Sequence, residues 1–238
     1  LFRSPDNEAE RLLALQRYGV LDTPQEIAFD RITQLAARLF DVPMAFVSLI
    51  DRDRQWFKSC IGLDDSETNR DTAFCAHAIL SPTPLIVDDA FQDLRFRDNP
   101  AVTGSPFVRF YAGAPLTTRE GYNLGTLCIA DTKVRSLRAD QIQTLVDLSC
   151  IVVDELELRL GYRARAMFQK VCEISPNLIY LYKRVKFERT FLGPHLVETL
   201  GYDRSVPAAD LLPEIVHPED LPRLYKHLGQ LELLERGP

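Results

Sequence analysis

Apolar positions recur at helical spacing near the start of the chain, give way to strand-like alternation from residue 44, and return to helical spacing after residue 138. Glu8 to Tyr18 carries Leu12, Leu13 and Leu15, a short amphipathic helix ending near Gly19. Thr23, Pro24 and Glu26 then read as a capping box, with Pro24 at the first helical position. The helix they open has Ile32, Leu35, Ala36, Leu39 and Phe40 as one apolar stripe, suited to covering a sheet, and Val42-Pro43 stops it. Met44 to Ile50 and Gln55 to Cys60 predict two strands about the turn Asp51 to Arg54, the second built around Trp56 and Phe57. Gly62 to Asp71 is polar and loop-like. Thr72 to Leu80 predicts a short helix capped by Asp71 or Thr72, and Leu85 to Val87 a brief strand. From Phe91 to Pro106 the chain is polar, punctuated by Asn99-Pro100 and Gly104-Ser105-Pro106.

Val108 to Asp131 predicts a hairpin in the middle of a sheet. Arg109 to Ala114 alternates with period two, Leu124 to Ile129 is apolar on both faces, and Thr117 to Asn123 is the turn. Small residues at Ala112, Gly113, Ala114 and Gly125 leave room above the sheet, for a ligand or for a closely packed helix. Arg138 to about Lys170 has no Gly or Pro except Gly161. Its first half, with Ile142, Leu145, Val146, Leu148, Ile151, Val152 and Val153, is apolar nearly all round, which predicts burial on two sides. One side is the sheet, and the other fits a second copy of the same helix. After Ser175-Pro176 the pattern predicts strands at Asn177–Tyr182 and Phe187–Leu192, a short helix over Pro194–Leu200 and a last helix over Leu221–Leu234. That is too little for a self-sufficient domain.

Composition narrows the function classes. The chain has 238 residues, 46% hydrophobic and 26% charged, enough for one large or two small globular domains. Its net charge is −6, and no block of Lys and Arg forms a basic stripe, so nucleic acid is not an expected partner. No apolar run approaches the ~20 residues that span a bilayer. Leu1-Phe2-Arg3-Ser4 does not begin a signal peptide, so the expectation is a cytoplasmic protein with no membrane partner. Leu1 in place of an initiator Met reads as the start of a fragment. Five cysteines are scattered singly without a C-x-x-C pair, which points to buried thiols and to no metal site. Glycine-rich nucleotide loops are absent, and none of the four histidines lies in a phosphoacceptor-like helix, so no catalytic residue is assigned.

Several ordered blocks resemble a GAF domain of the bacterial sensor type: LDTPQEIAFDRITQLAARLFDVPMAFVSLIDRDRQWFKS, TAFCAHAI, LIVDDAFQDLRFRDNPAV and, above all, RFYAGAPL with GYNLGTLCIAD. They cover about Leu12 to Leu158. ISPNLIYLY, the LGYD at Leu200 to Asp203 and the HPED at His217 resemble the first half of a PAS domain, without the strands that usually complete its sheet. The resemblance implies an α+β fold: a central antiparallel sheet flanked by helices, joined by a long helix to an incomplete PAS-like α/β domain. The implied division is a GAF-like sensory domain over 1–158, a signalling and dimerisation helix over 138–172, and the PAS-like part over 173–238. The implied function is a sensory module of a bacterial signal-transduction protein, most simply a sensor histidine kinase of a two-component system. The alternatives are a diguanylate cyclase or phosphodiesterase and, in another class, a cysteine-dependent GAF-fold reductase using Cys60, Cys75 and Cys128. Expected partners are a second copy, through the 138–172 helix, and a small-molecule ligand of unknown identity.

Seven residues stand out as pocket candidates: Arg109, Tyr111, Phe74, Trp56, Phe96, His77 and Cys128. Arg109 and Tyr111 share one side of the hairpin, and Arg109 either holds an anionic ligand in a fork or pairs with Asp88, Asp89 or Asp93. Trp56, Phe74 and Phe96 are either the roof of a pocket or ordinary core. Cys75 and His77, two apart on a helix, point in different directions and make a poor metal site. Bilin-binding relatives usually carry an adjacent Cys-His pair where this chain has RFRDNPAVTGSPF, so bilin attachment is not expected. No Asn-Lys pair occurs, so the cyclic-nucleotide pattern of the family is not supported. No cofactor is predicted, and His217 reads as a turn-fixing residue.

Overall fold

The structure, a computed structural model, describes residues 4–174, 180–183, 188–192, 218–219 and 222. The chain divides into two units, Leu1–Tyr162 and Arg163–Pro238. The first is built on six strands: β1 (Met44–Ile50), β2 (Arg54–Ile61), β3 (Glu67–Asn69), β4 (Leu85–Val87), β5 (Phe110–Thr117) and β6 (Asn123–Asp131). They lie in the order β3-β2-β1-β6-β5-β4, with every neighbouring pair antiparallel. The hairpin β5–β6 thus forms as the sequence predicts, and its turn uses Gly121 at φ +89°.

Strand alternation sorts side chains onto two faces. Ala45, Val47, Phe110, Ala112, Leu127 and Ile129 face a helical layer. It consists of α1 (Glu8–Tyr18), α2 (Ile27–Phe40) and the start of α5 (Ala139–Ile174), which add Leu15, Phe29, Ile32, Leu145 and Val152 to the same core. The opposite face carries Phe46, Phe57, Tyr111 and Cys128 beneath two short helices, α3 (Phe74–Ala78) and α4 (Pro100–Thr103), and the loops around them. The room left by the small hairpin residues is taken by packing. Ala112 and Ala114 lie in the helical core, and a side chain at Gly125 would overlap the Ser48 carbonyl on the neighbouring strand.

Tertiary contacts override local signals in several places. The capping box over Thr23 to Glu26 does not form, and α2 begins at Ile27 with Glu26 at the cap position. Lys58, wholly buried on β2, explains this: its Nζ donates to Thr23 Oγ1 (2.9 Å), the Pro24 carbonyl (2.6 Å) and Glu26 Oε1 (2.6 Å). A bulge opposite Val47 and Ser48 lets Lys58 and Ser59 both reach the helical side, where Ser59 donates to Asp30 at 2.6 Å. On α2 the buried stripe is Phe29, Ile32, Thr33, Ala36 and Phe40, so Leu35 and Leu39 are exposed flanks. Along α5, Leu145, Leu148, Val152 and Leu156 are buried, whereas Ile151 and Leu158 are exposed, so one side is covered within the chain. The expected helix over 72–80 is shorter, because Asn69 caps a 3-10 turn at Arg70–Thr72 before α3 starts. The loop-like stretches 62–71 and 91–106 contain β3 and α4.

In the second unit β7 (Tyr180–Lys183) pairs antiparallel with β8 (Glu188–Leu192). The helix expected over 194–200, the His217 turn position and, apart from Pro222, the helix expected over 221–234 lie outside the described residues.

Candidate functional site

A cavity of about 230 Å³ opens on the face of the sheet away from the helical layer. Its floor is sheet: Met44 and Phe46 of β1, Gln55 and Phe57 of β2, Tyr111 of β5 and Ala130 of β6. Ala73 to Cys75 at the start of α3 form one wall, while Pro100, Ala101 and Val108 form another. Leu63, Asp65 and Thr68 stand at the β2–β3 side. Asn99 braces the two walls: its Nδ2 donates to the Thr72 carbonyl at 2.7 Å, and its Oδ1 caps α4 by accepting from the Ala101 N–H at 2.9 Å.

Most of the lining is apolar, and among its polar groups one stands out. Gln55 is 5% exposed, and its Oε1 is buried with no hydrogen-bond partner. A buried orphan acceptor costs roughly 1–3 kcal/mol. Its place on the cavity floor makes it the natural receiver of a donor from a bound molecule.

Beneath the cavity lies a buried polar cluster. The Tyr111 hydroxyl occupies the space that a side chain at Gly113 would fill, and donates to Cys75 Sγ at 3.2 Å. Cys75 Sγ lies 3.5 Å from Cys128 Sγ, which donates to the Phe46 carbonyl at 3.4 Å. Ser48 Oγ and Thr126 Oγ1 lie 3.1 Å apart and are wholly buried. Burial pushes the Tyr111 hydroxyl well above its ordinary value, helped by the two thiols. For Cys75 burial acts upwards too, but the polar groups around its sulfur, with Cys128 foremost and the hydroxyls of Ser48, Thr126 and Tyr111 after it, outweigh burial and lower the thiol, while burial and Cys75 push Cys128 up.

The seven sequence candidates fall into separate places. Tyr111 and Phe74 line the cavity. Phe96 is wholly buried behind it, stacked on Phe74 with centroids 4.2 Å apart, and His77 meets the edge of Phe96 at 4.9 Å. Cys128 lies under Cys75. Trp56 is a correction: it packs in the helical core, 5.9 Å from Lys58 Nζ, because it alternates with Gln55 and Phe57. Arg109 is a second, since it precedes β5 and forms a bidentate pair with Asp89, both contacts at 2.8 Å. It lies over Phe91 and outside the cavity lining. Gln55 was overlooked, although strand parity with Phe57 places it on the cavity side.

Among the described residues no group of three or more His, Cys, Asp or Glu side chains is arranged to hold a metal ion. Nor is any helix there long and apolar enough to cross a membrane.

Comparison with known proteins gives the wider context. A cyclic di-GMP phosphodiesterase of Pseudomonas aeruginosa is 44% identical over 137 residues, 58% of this chain. The chain spans only 23% of that relative's length. A GAF domain from an Acinetobacter phosphoenolpyruvate-protein phosphotransferase is similar at 14% identity and TM-score 0.48, over 64% of this chain and 93% of its own. The free methionine-R-sulfoxide reductase of Neisseria meningitidis is similar at 17% identity and TM-score 0.47, over 70% of this chain and 97% of its own. The GAF domain family description matches residues 25–153, the span that builds the sheet, the cavity and the helical layer apart from α1, and the chain belongs to the GAF domain family.

Proposed function

We propose that this chain is the sensory module of a cytosolic bacterial cyclic di-GMP signalling protein, and that it binds a metabolite-sized ligand in the cavity above Tyr111. The observation that carries the ligand reading is the orphan Gln55 Oε1 on an otherwise apolar floor. At about 230 Å³ the cavity is below the ~300–1,000 Å³ of drug-sized sites, so the ligand is small and offers at least one donor. The 44% identity to a cyclic di-GMP phosphodiesterase supports a phosphodiesterase or diguanylate cyclase output in preference to a histidine kinase. In this reading the 138–172 helix pairs two copies, and residues 173–238 form a PAS-like part. Exposed Ile151, Leu158 and Met167 on α5 and the β7–β8 pair support those assignments.

Native mass spectrometry of the protein purified from its own host tests the ligand reading. The expected result is a small adduct on the wild type that Gln55→Leu loses, and a wild type without any adduct overturns it. Assay of the full-length protein tests the output: turnover or synthesis of cyclic di-GMP is expected, and a protein with neither activity overturns the assignment.

A further inference from the structure

The ligand reading leaves the two thiols beneath the cavity without a role. They come from elements far apart in sequence, Cys75 from α3 and Cys128 from β6, yet their sulfurs are 3.5 Å apart. Both are wholly shielded from bulk solvent by the fold, but Cys75 lines the cavity. An oxidant as small as hydrogen peroxide that enters the cavity therefore meets the residue carrying one sulfur of the pair. We propose that Cys75 and Cys128 form a peroxide-reactive dithiol, in which Cys75 is oxidised through the cavity and Cys128 resolves it to an intramolecular disulfide.

The chemistry balances within the site. The Cys75 thiolate attacks one oxygen of the peroxide, the O–O bond breaks, and Cys75 becomes a sulfenic acid while the departing hydroxide takes up the thiol proton as water. Cys128 then attacks the Cys75 sulfur, the S–S bond forms, the S–O bond breaks, and the leaving hydroxide takes the Cys128 proton as a second water. Two thiols lose two electrons and one peroxide gains them. The sulfurs need to close from 3.5 Å to about 2.05 Å, a movement of side chains within one contact layer.

The surroundings suit the order of attack. Burial raises the Cys75 thiol, but the polar groups around its sulfur, Cys128 first and the donating Tyr111 hydroxyl among them, outweigh it and lower the thiol, which favours its thiolate. Cys60 offers the contrast inside the same protein: burial pushes its thiol up to about 11. A 3.5 Å thiol pair is equally a packing contact in a core, and the experiment separates the two. The proposal stands apart from the ligand reading, because it needs passage through the cavity and no resident molecule, so its failure leaves that reading intact.

The test treats the intact chain with hydrogen peroxide at a small molar excess, followed by alkylation in denaturant and non-reducing peptide mapping. A linked peptide pair joining Cys75 and Cys128, reversed by dithiothreitol, is expected, forming about tenfold faster or more than any oxidation of Cys60. In Cys128→Ser, confirmed as folded by circular dichroism, dimedone should trap a sulfenic acid on Cys75. Both thiols remaining fully alkylatable while Cys60 or exposed Cys150 oxidises overturns the proposal. Separate higher oxides on the two sulfurs, with no link between them, overturn it as well, and the wild-type map decides the question even where the serine variant does not fold.

Discussion

Glu8 on the first helix accepts from two buried arginines, and replacing it with glutamine makes a quantitative test of the network. Arg11 donates to it through Nε and Nη2 at 2.8 and 2.9 Å, and Arg70 through Nη1 at 2.6 Å. Both guanidiniums also hold backbone carbonyls of the β1–β2 turn, Arg11 that of Ile50 and Arg70 those of Asp51 and Arg52. Burial raises the Glu8 carboxyl, but hydrogen bonds from Arg11 and then Arg70, with their charges, reverse this and lower it from 4.5 to about 2. A shift of that size corresponds to roughly 3 kcal/mol, at ~1.4 kcal/mol per unit. The side chain is 20% exposed, and discounting for solvent screening leaves about 2 kcal/mol. Because the folded-state value is depressed, this stabilisation is fully present above pH 4.5 and is lost as the pH falls towards 2. Urea unfolding of wild type and Glu8→Gln at pH 7, 5, 4 and 3 should show a gap of about 2 kcal/mol at the two higher values that narrows to about half by pH 3. A gap that does not change with pH, or one below ~0.5 kcal/mol at pH 7, would refute the argument that the two arginines act through the Glu8 charge.

Other outcomes follow from packing. Phe96→Ala removes a fully buried ring stacked on Phe74 and should cost about 3–5 kcal/mol in chemical denaturation. Gly125→Ala forces a methyl into the Ser48 carbonyl on a central strand pair and should cost about 3 kcal/mol or more, whereas Gly121→Ala, strained only by its positive φ, should cost about 1 kcal/mol; thermal melts of the two separate these. Gln55→Leu relieves an orphan acceptor and should raise the stability of the ligand-free protein by about 1 kcal/mol while abolishing adduct binding. Arg109→Ala should leave adduct binding intact in the same native mass spectra, since its partner is Asp89 and not the cavity.

How far the site could be read in advance varies residue by residue. Tyr111 was legible because hairpin parity separates it from Phe110 and Ala112, and its pocket side follows once one face is covered by helices. The same parity argument on β2 separates Gln55 and Phe57 from Trp56, but Trp56 draws attention by size, and size carries no information about side. Beyond Phe57 parity itself fails, because the bulge turns both Lys58 and Ser59 to the helical layer. Arg109 was open between two readings; its pairing with Asp89 depends on the 88–109 segment closing back on itself, with the Ala90 N–H donating to the Arg109 carbonyl at 2.6 Å.

By itself, the sequence determined the elements whose cause is local: the extents of α1, β1 and β4, and the β5–β6 hairpin about its polar turn. Hydrophobic periodicity encodes these directly, since period and face are properties of neighbouring residues. Tertiary structure decided where distant groups compete for one another. Lys58 took Thr23 and Glu26 from the capping box they would otherwise form, and Asn99 tied α4 to the start of α3. The fold also brought Cys75 and Cys128 from two layers to sulfur contact beneath a cavity whose floor is drawn from four strands. Such contacts depend on strand order and on which surface each strand turns inward, and no window of local sequence contains that information.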